Sequence, residues 1–167
     1  MTTITQPLRD EHKELLPHVE ILKTAADQVS EVLSEGAWQD IHQAYEFLAY
    51  HLIPHAYAED QALYPVVQKV MGAPRATATM SRDHVEVGQL TAELKAQLPL
   101  RAARLSADQA AGLRRVLYGL YTLVKLHFAK EEEIYLPLLD ARLTPAEASQ
   151  MFEAMEEAAR EAKGREV

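Results

Sequence analysis

Two stretches of this 167-residue chain carry the same polar residues at the same places, 72 positions apart. His12 answers to His84, His55 to His127, Glu59 to Glu131 and Pro65 to Pro137. The segment His55-Ala-Tyr-Ala-Glu59-Asp60 is matched by His127-Phe-Ala-Lys-Glu131-Glu132, and Arg9-Asp10-Glu11 before His12 resembles Ser81-Arg82-Asp83 before His84. Each half therefore supplies one histidine and then a His-x-x-x-Glu pair. Two such halves, associating with approximate two-fold symmetry, present two equivalent polar positions and not one.

The surrounding residues are spaced as helices, with apolar positions at alternating steps of four and three that form the seam of a packed bundle. Leu8, His12, Leu15, Val19, Leu22, Ala26, Val29 and Leu33 make the first seam. Ile41, Tyr45, Leu48, Leu52, His55, Glu59, Ala62 and Val66 make the second, and Met80, His84, Val87, Thr91, Leu94 and Leu98 the third. The fourth runs Leu113, Leu117, Leu120, Val124, His127, Glu131, Ile134, Leu138. Six glycines and scattered Val and Ile fit no strand pattern.

The predicted fold is all-α: an antiparallel up-down four-helix bundle over residues 8–140 with an additional C-terminal helix over 144–163, in a single domain spanning 1–167. The first helix is expected from Leu8 to Leu33, breaking at Ser34-Glu35-Gly36, and the second from Trp38 to about Val70. The third starts near Arg75 and continues past Pro99 to about Arg104. Ser106 with Gln109 opens the fourth, which ends near Asp140, and Thr144 with Pro145 and Glu147 opens the fifth. Pro54 is expected to kink the second helix, and Pro65 and Pro137 to bend or end theirs.

Residues four apart share a helix face, so His55 with Glu59, and His127 with Glu131, can each reach one centre. A carboxylate buried without a partner is very costly. Two glutamates on core seams, each beside a histidine, call for a compensating cation, and a metal pair supplies it, each carboxylate bridging both ions. Mixed imidazole and carboxylate ligation suits iron, manganese or zinc over a purely oxygen-ligated Mg²⁺ or Ca²⁺. Iron is favoured because so few protein ligands leave positions open to oxygen species.

His12, His55-x-x-x-Glu59, His84 and His127-x-x-x-Glu131 resemble the ligand set of the hemerythrin-like, or HHE cation-binding, domain. The resemblance covers roughly residues 8 to 140. It implies two non-haem iron ions with an oxo or hydroxo bridge, dealings with O₂, peroxide or nitric oxide, and scope for catalase-like or other redox activity. Oxygen-carrying hemerythrins have a further histidine one turn after the first on the third helix, where this chain has Gly88. Gly88 is therefore expected to leave one coordination place open. The four-His, two-Glu set is more similar to hemerythrin-like domains of iron–sulfur-centre repair proteins and iron sensors. The alternative it implies is iron storage, delivery, sensing or repair without oxidant turnover.

A net charge of −8 argues against nucleic acid or an anionic membrane as partner. With no cysteine, thiolate metal sites and thiol nucleophiles are excluded. No basic start followed by an apolar stretch is present, so the cytoplasm is the expected location. Glu-x-x-His and His-Glu-x-x-His are both absent, which disfavours ferritin-like and zinc-protease chemistry. His51 precedes His55 by one turn, but its repeat partner is Leu123; His18 and His42 lie off the seams and are expected on the surface. Asp60, Glu132 and Glu133 are expected to form a solvated acidic face, because five residues past a histidine a regular helix has turned about 140°. Tyr45, Tyr50, Tyr57, Tyr118 and Tyr121 are expected mainly to pack. Met151, Phe152 and Met155 share a face that packs over the bundle or makes a homodimer contact.

Overall fold

The computed structural model describes residues 3–102 and 104–164. Within them the chain is all-helical, with five helices and no strand. The first helix is Gln6–Gln28. It stops short of the expected Leu33 because Val29 turns extended (φ −66°, ψ 123°), and Glu31 then accepts a backbone hydrogen bond from Leu105. Ser34 caps the second helix by accepting from the Ala37 amide, so Gly36 lies in its first turn. That helix runs through Glu35–Phe47, Leu48–Leu52, Ile53–Ala58, Glu59–Leu63 and Tyr64–Met71. It ends at Gly72, whose φ of 63° is a left-handed cap that favours glycine.

The third helix, Ala78–Gln97, tightens into a 3₁₀ stretch, Leu98–Ala102, beyond which the expected continuation to Arg104 meets residue 103, outside the described residues. The fourth comprises Ala107–Lys130, Glu131–Tyr135 and Leu136–Arg142, and opens on the expected reciprocal cap between Ser106 and Gln109. The fifth, Pro145–Gly164, is fixed by Thr144 and Glu147 in the same way. The first helix packs along the second and the fourth, the third along the fourth, and the fifth across residues 53–63. No described helix is long and apolar enough to cross a membrane.

Pro54, Pro65 and Pro137 neither break nor end the second and fourth helices. Each of these three is preceded by a π-helical turn that closes two residues before it: Leu48–Leu52 before Pro54, Glu59–Leu63 before Pro65, and Glu131–Tyr135 before Pro137. A proline lacks the amide for an α-helical hydrogen bond and its ring crowds the carbonyl four residues back. A wider turn with one surplus residue, closed by bonds such as Tyr64 N–H to Glu59 O, relieves both. The surplus residue advances the seam by one. Val67 and not Val66 is fully buried, and on the fourth helix Tyr135 and Leu139 face inward while Ile134 is 57% exposed.

The apolar core forms two clusters. One gathers Val19, Leu22, Trp38, Ile41, Leu94, Leu113, Leu117 and Phe128; the other gathers Leu8, Leu63, Tyr64, Met80, Leu136, Leu139, Met151 and Met155. On each of the first four helices the candidate histidines and glutamates fall between a residue of one cluster and a residue of the other. The fifth helix buries Met151 and Met155 in the second cluster, which meets the expectation that it packs over the bundle.

Candidate metal centre

All six residues singled out from the repeat meet in this layer. His12, His55, Glu59, His127 and Glu131 are buried, and the His84 side chain is 8% exposed. Glu59 lies at the middle. Its Oε1 is 2.9 Å from His55 Nε2 and 3.7 Å from His12 Nε2, while its Oε2 is 3.2 Å from His84 Nε2 and 3.8 Å from His127 Nε2. Two triads that could each hold a metal ion follow, His12–His55–Glu59 and Glu59–His84–His127, with Glu59 common to both. Glu131 spans the other side, with Oε2 3.4 Å from His12 Nε2 and Oε1 3.4 Å from His127 Nε2.

Each of these four histidines turns Nε2 inward and donates its Nδ1 proton outward to a carboxylate. His12 donates to Glu132 at 2.8 Å, His55 to Glu11 at 3.0 Å, His84 to Asp60 at 2.8 Å and His127 to Asp83 at 3.1 Å. The acceptors obey the repeat, since Glu132 answers to Asp60 and Asp83 to Glu11. A third layer steadies them: Arg9 donates to Glu132 at 2.5 Å, Ser81 to Asp60 at 2.5 Å, and Lys130 pairs with Asp83. The Arg9 guanidinium also reaches Asp140, which accepts from the Thr5 amide at 2.8 Å. Phe128 stacks on the His12 ring, centroids 4.4 Å apart at 11°.

Asp60 and Glu132 are thus not the solvated acidic face expected of them; only Glu133 is exposed. The regular-helix rotation that argued against them fails because the π turn begins at the residue before each. The same turn brings in Tyr64, which sequence reasoning missed. Five residues beyond Glu59 on a regular helix it would point away, but the turn returns it to the Glu59 face. Its hydroxyl donates to Glu131 Oε1 at 2.7 Å and lies 3.3 Å from His84 Nε2 and 3.2 Å from His127 Nε2. The signal available in the sequence was the proline two residues past each turn.

The other histidines stay outside: His51 and His42 are exposed, and His18 stacks on Phe47. Thr91 satisfies its hydroxyl on the Val87 carbonyl at 2.7 Å. Beside the triads lies a cavity of about 10 Å³ lined by Leu52, Ala56, Val87, Val124 and Phe128 with four of the polar residues. Gly88 does not line it, and a Cβ built there meets nothing within 4 Å. Val87, three residues after His84, takes the place the sequence assigned to Gly88.

With each Nδ1 proton turned outward, a neutral imidazole has no hydrogen to give on its inner side. His12 Nε2, His55 Nε2, both Glu59 oxygens and Glu131 Oε2 accordingly have no hydrogen-bond partner. Such a layer is stable only with positive charge inside it. Protons can supply some. Burial alone would lower the His55, His84 and His127 pKa values, but Glu59 acts on all three. With Glu11 beside His55, Asp60 beside His84 and Glu131 beside His127, all three rise, His127 to about 10. Burial would raise the Glu59 carboxyl, yet the charge on His55 and the protonated forms of the His12, His127 and His55 rings that face it hold it well below the carboxylate range. Burial and the neighbouring carboxylates push the Tyr64 phenol up. A metal cation meets the same demand, and the donor set of imidazole and carboxylate fits one.

The sequence model for the hemerythrin HHE cation binding domain matches residues 3–139, which takes in every residue of this layer and leaves out the fifth helix. No curated protein and no solved structure gives a match. With the match spanning most of its length and the buried His/Glu layer inside the matched segment, the chain belongs to the hemerythrin HHE cation-binding domain family.

Proposed function

We propose that this protein holds a non-haem di-iron centre on His12, His55, Glu59, His84, His127 and Glu131, set in an antiparallel up-down four-helix bundle, and that it binds or reacts with O₂, peroxide or nitric oxide. The observation that carries the reading is the placing of Glu59, one carboxylate shared between two histidine pairs, which suits two ions and has no use for one. The iron pair, when bound, supplies redox chemistry and sites for a small ligand. The chain does the rest. Glu11, Asp60, Asp83 and Glu132 fix the tautomer and direction of the four rings, which raises their basicity as ligands. The two apolar clusters exclude bulk water from either side of the layer. A cavity of about 10 Å³ has room for roughly one water, so it selects diatomic and similarly small ligands.

Metal analysis and an absorption spectrum after aerobic iron loading test this. Two irons per chain with oxo-bridge absorption in the near ultraviolet are expected; one tightly held zinc and no such band would overturn it. Peroxide turnover by the loaded protein separates this reading from iron handling without turnover, in which iron would pass readily to a weak chelator.

A further inference from the structure

The two halves of the centre differ in one polar group. Around His12 and His55 the inward-facing atoms are imidazole nitrogens and carboxylate oxygens alone. Around His84 and His127 a seventh group enters, the Tyr64 hydroxyl, within 3.3 Å of both Nε2 atoms. The Tyr64 residue is 1% exposed and its ring is stacked on His84, centroids 5.4 Å apart at 13°. The equivalent residue in the other half is Leu136, which is fully buried and has no side-chain oxygen.

Counting protons shows what this corner lacks. His84 gives its Nδ1 proton to Asp60 and His127 gives its own to Asp83, so in the neutral form that binds metal each ring turns a lone pair inward, and the two nitrogens are 2.9 Å apart. A tyrosine hydroxyl has one proton, and here it goes to Glu131 Oε1 at 2.7 Å. The phenol oxygen therefore meets both nitrogens with lone pairs of its own, and Glu59 Oε2, 3.2 Å from His84 Nε2, adds a further donor. Electron pairs converging in a buried place repel unless a proton or a metal ion lies among them, and a metal ion can accept all of them at once.

We propose that Tyr64 is a ligand of the second metal ion, through its phenolate oxygen beside His84 and His127, and that the two metal positions are therefore chemically unequal. The inference rests on the two-metal reading above. As the metal–oxygen bond forms the O–H bond breaks, and the proton is released to bulk solvent as the ion enters; no electron moves. An anionic oxygen donor on one ion alone favours its ferric state over its neighbour's.

Resonance Raman and visible absorption of the iron-loaded protein test this directly. Phenolate ring modes and a phenolate-to-iron charge-transfer band are expected in the parent and in His12→Ala, which keeps the second position. Both should be lost in Tyr64→Phe and in His84→Ala, with Tyr64→Phe still holding iron at the first position. Circular dichroism checks the helices, and the two histidine variants decide the matter should Tyr64→Phe fail to fold. Zinc titration of the metal-free protein gives a readout independent of iron: a tyrosine-ionisation difference band in the ultraviolet as the second ion binds, absent in Tyr64→Phe. Two ions without phenolate signals, or signals that survive Tyr64→Phe, overturn the assignment of Tyr64 alone. A parent that takes up a single ion overturns the two-metal reading and this one with it.

Discussion

Tyr64 and Leu136 hold equivalent places in the two halves of the chain, and only Tyr64 brings an oxygen to the buried layer, 2.7 Å from Glu131. The approximate two-fold symmetry that organises the histidines and glutamates is therefore broken from within, and substitutions at paired residues need not have paired effects.

Glu59→Ala is expected to remove most metal from both positions, since each oxygen of Glu59 faces a different histidine pair. His12→Ala should weaken mainly the first position. Metal content after dialysis checks both; a Glu59→Ala protein that retains its full complement would show that Glu59 does not bridge.

Glu132→Ala and Asp60→Ala each remove the acceptor that orients one ring, His12 and His84 respectively. Loss of such an outer partner typically weakens metal affinity about 10- to 100-fold. The two substitutions should act on opposite positions, seen as a weakened first or second phase in a metal titration. Equal weakening of both phases by either variant would contradict this geometry.

Protons and metal compete for the same nitrogens. In the metal-free protein His127 has a folded pKa of about 10, above the ordinary imidazole value, so its contribution to stability is complete below that ordinary value and disappears as the pH rises through about 10. Metal requires the neutral ring, so apparent affinity should climb with pH over the same interval. Thermal melts of the metal-free protein and metal titrations at several pH values should thus move in opposite directions above neutrality. An affinity independent of pH would mean that these rings bind metal without losing a proton.

Gly88→His is expected to leave iron content and the azide spectrum as in the parent, because position 88 lies outside the cavity and opens on free space. The helix should gain roughly 0.5 kcal/mol or less from losing a glycine. A changed azide spectrum would place residue 88 on the metals after all.

The six clustered residues were legible because a duplicated motif announces itself without any knowledge of packing: six polar residues on apolar seams, spaced alike in both halves. The caps at Ser106 and Thr144 were legible for the same local reason. Residues after Glu59 and Glu131 were misplaced, among them Asp60, Glu132, Ile134 and Val66, since their directions were read from a uniform helix. Tyr64 escaped for that reason too. Glu11 and Asp83 were visible only as matching text before His12 and His84; that each would serve the histidine of the following helix depends on how the helices pair, which no local pattern states.

The wide turns have a further consequence. Removing any one residue from 60–63 or from 132–134 would close that wide turn to an ordinary α-helical one, and each half would keep its histidine and its glutamate in correct relation. Everything downstream would rotate by the angle of one residue, carrying Tyr64, Val67, Tyr135 and Leu139 off their faces. The inner histidines and glutamates and the floor beneath them are thus set on separate dials within a single helix, and the prolines hold those dials apart. A length change of one residue at these two places would alter the surroundings of the metals while leaving the recognisable motif untouched.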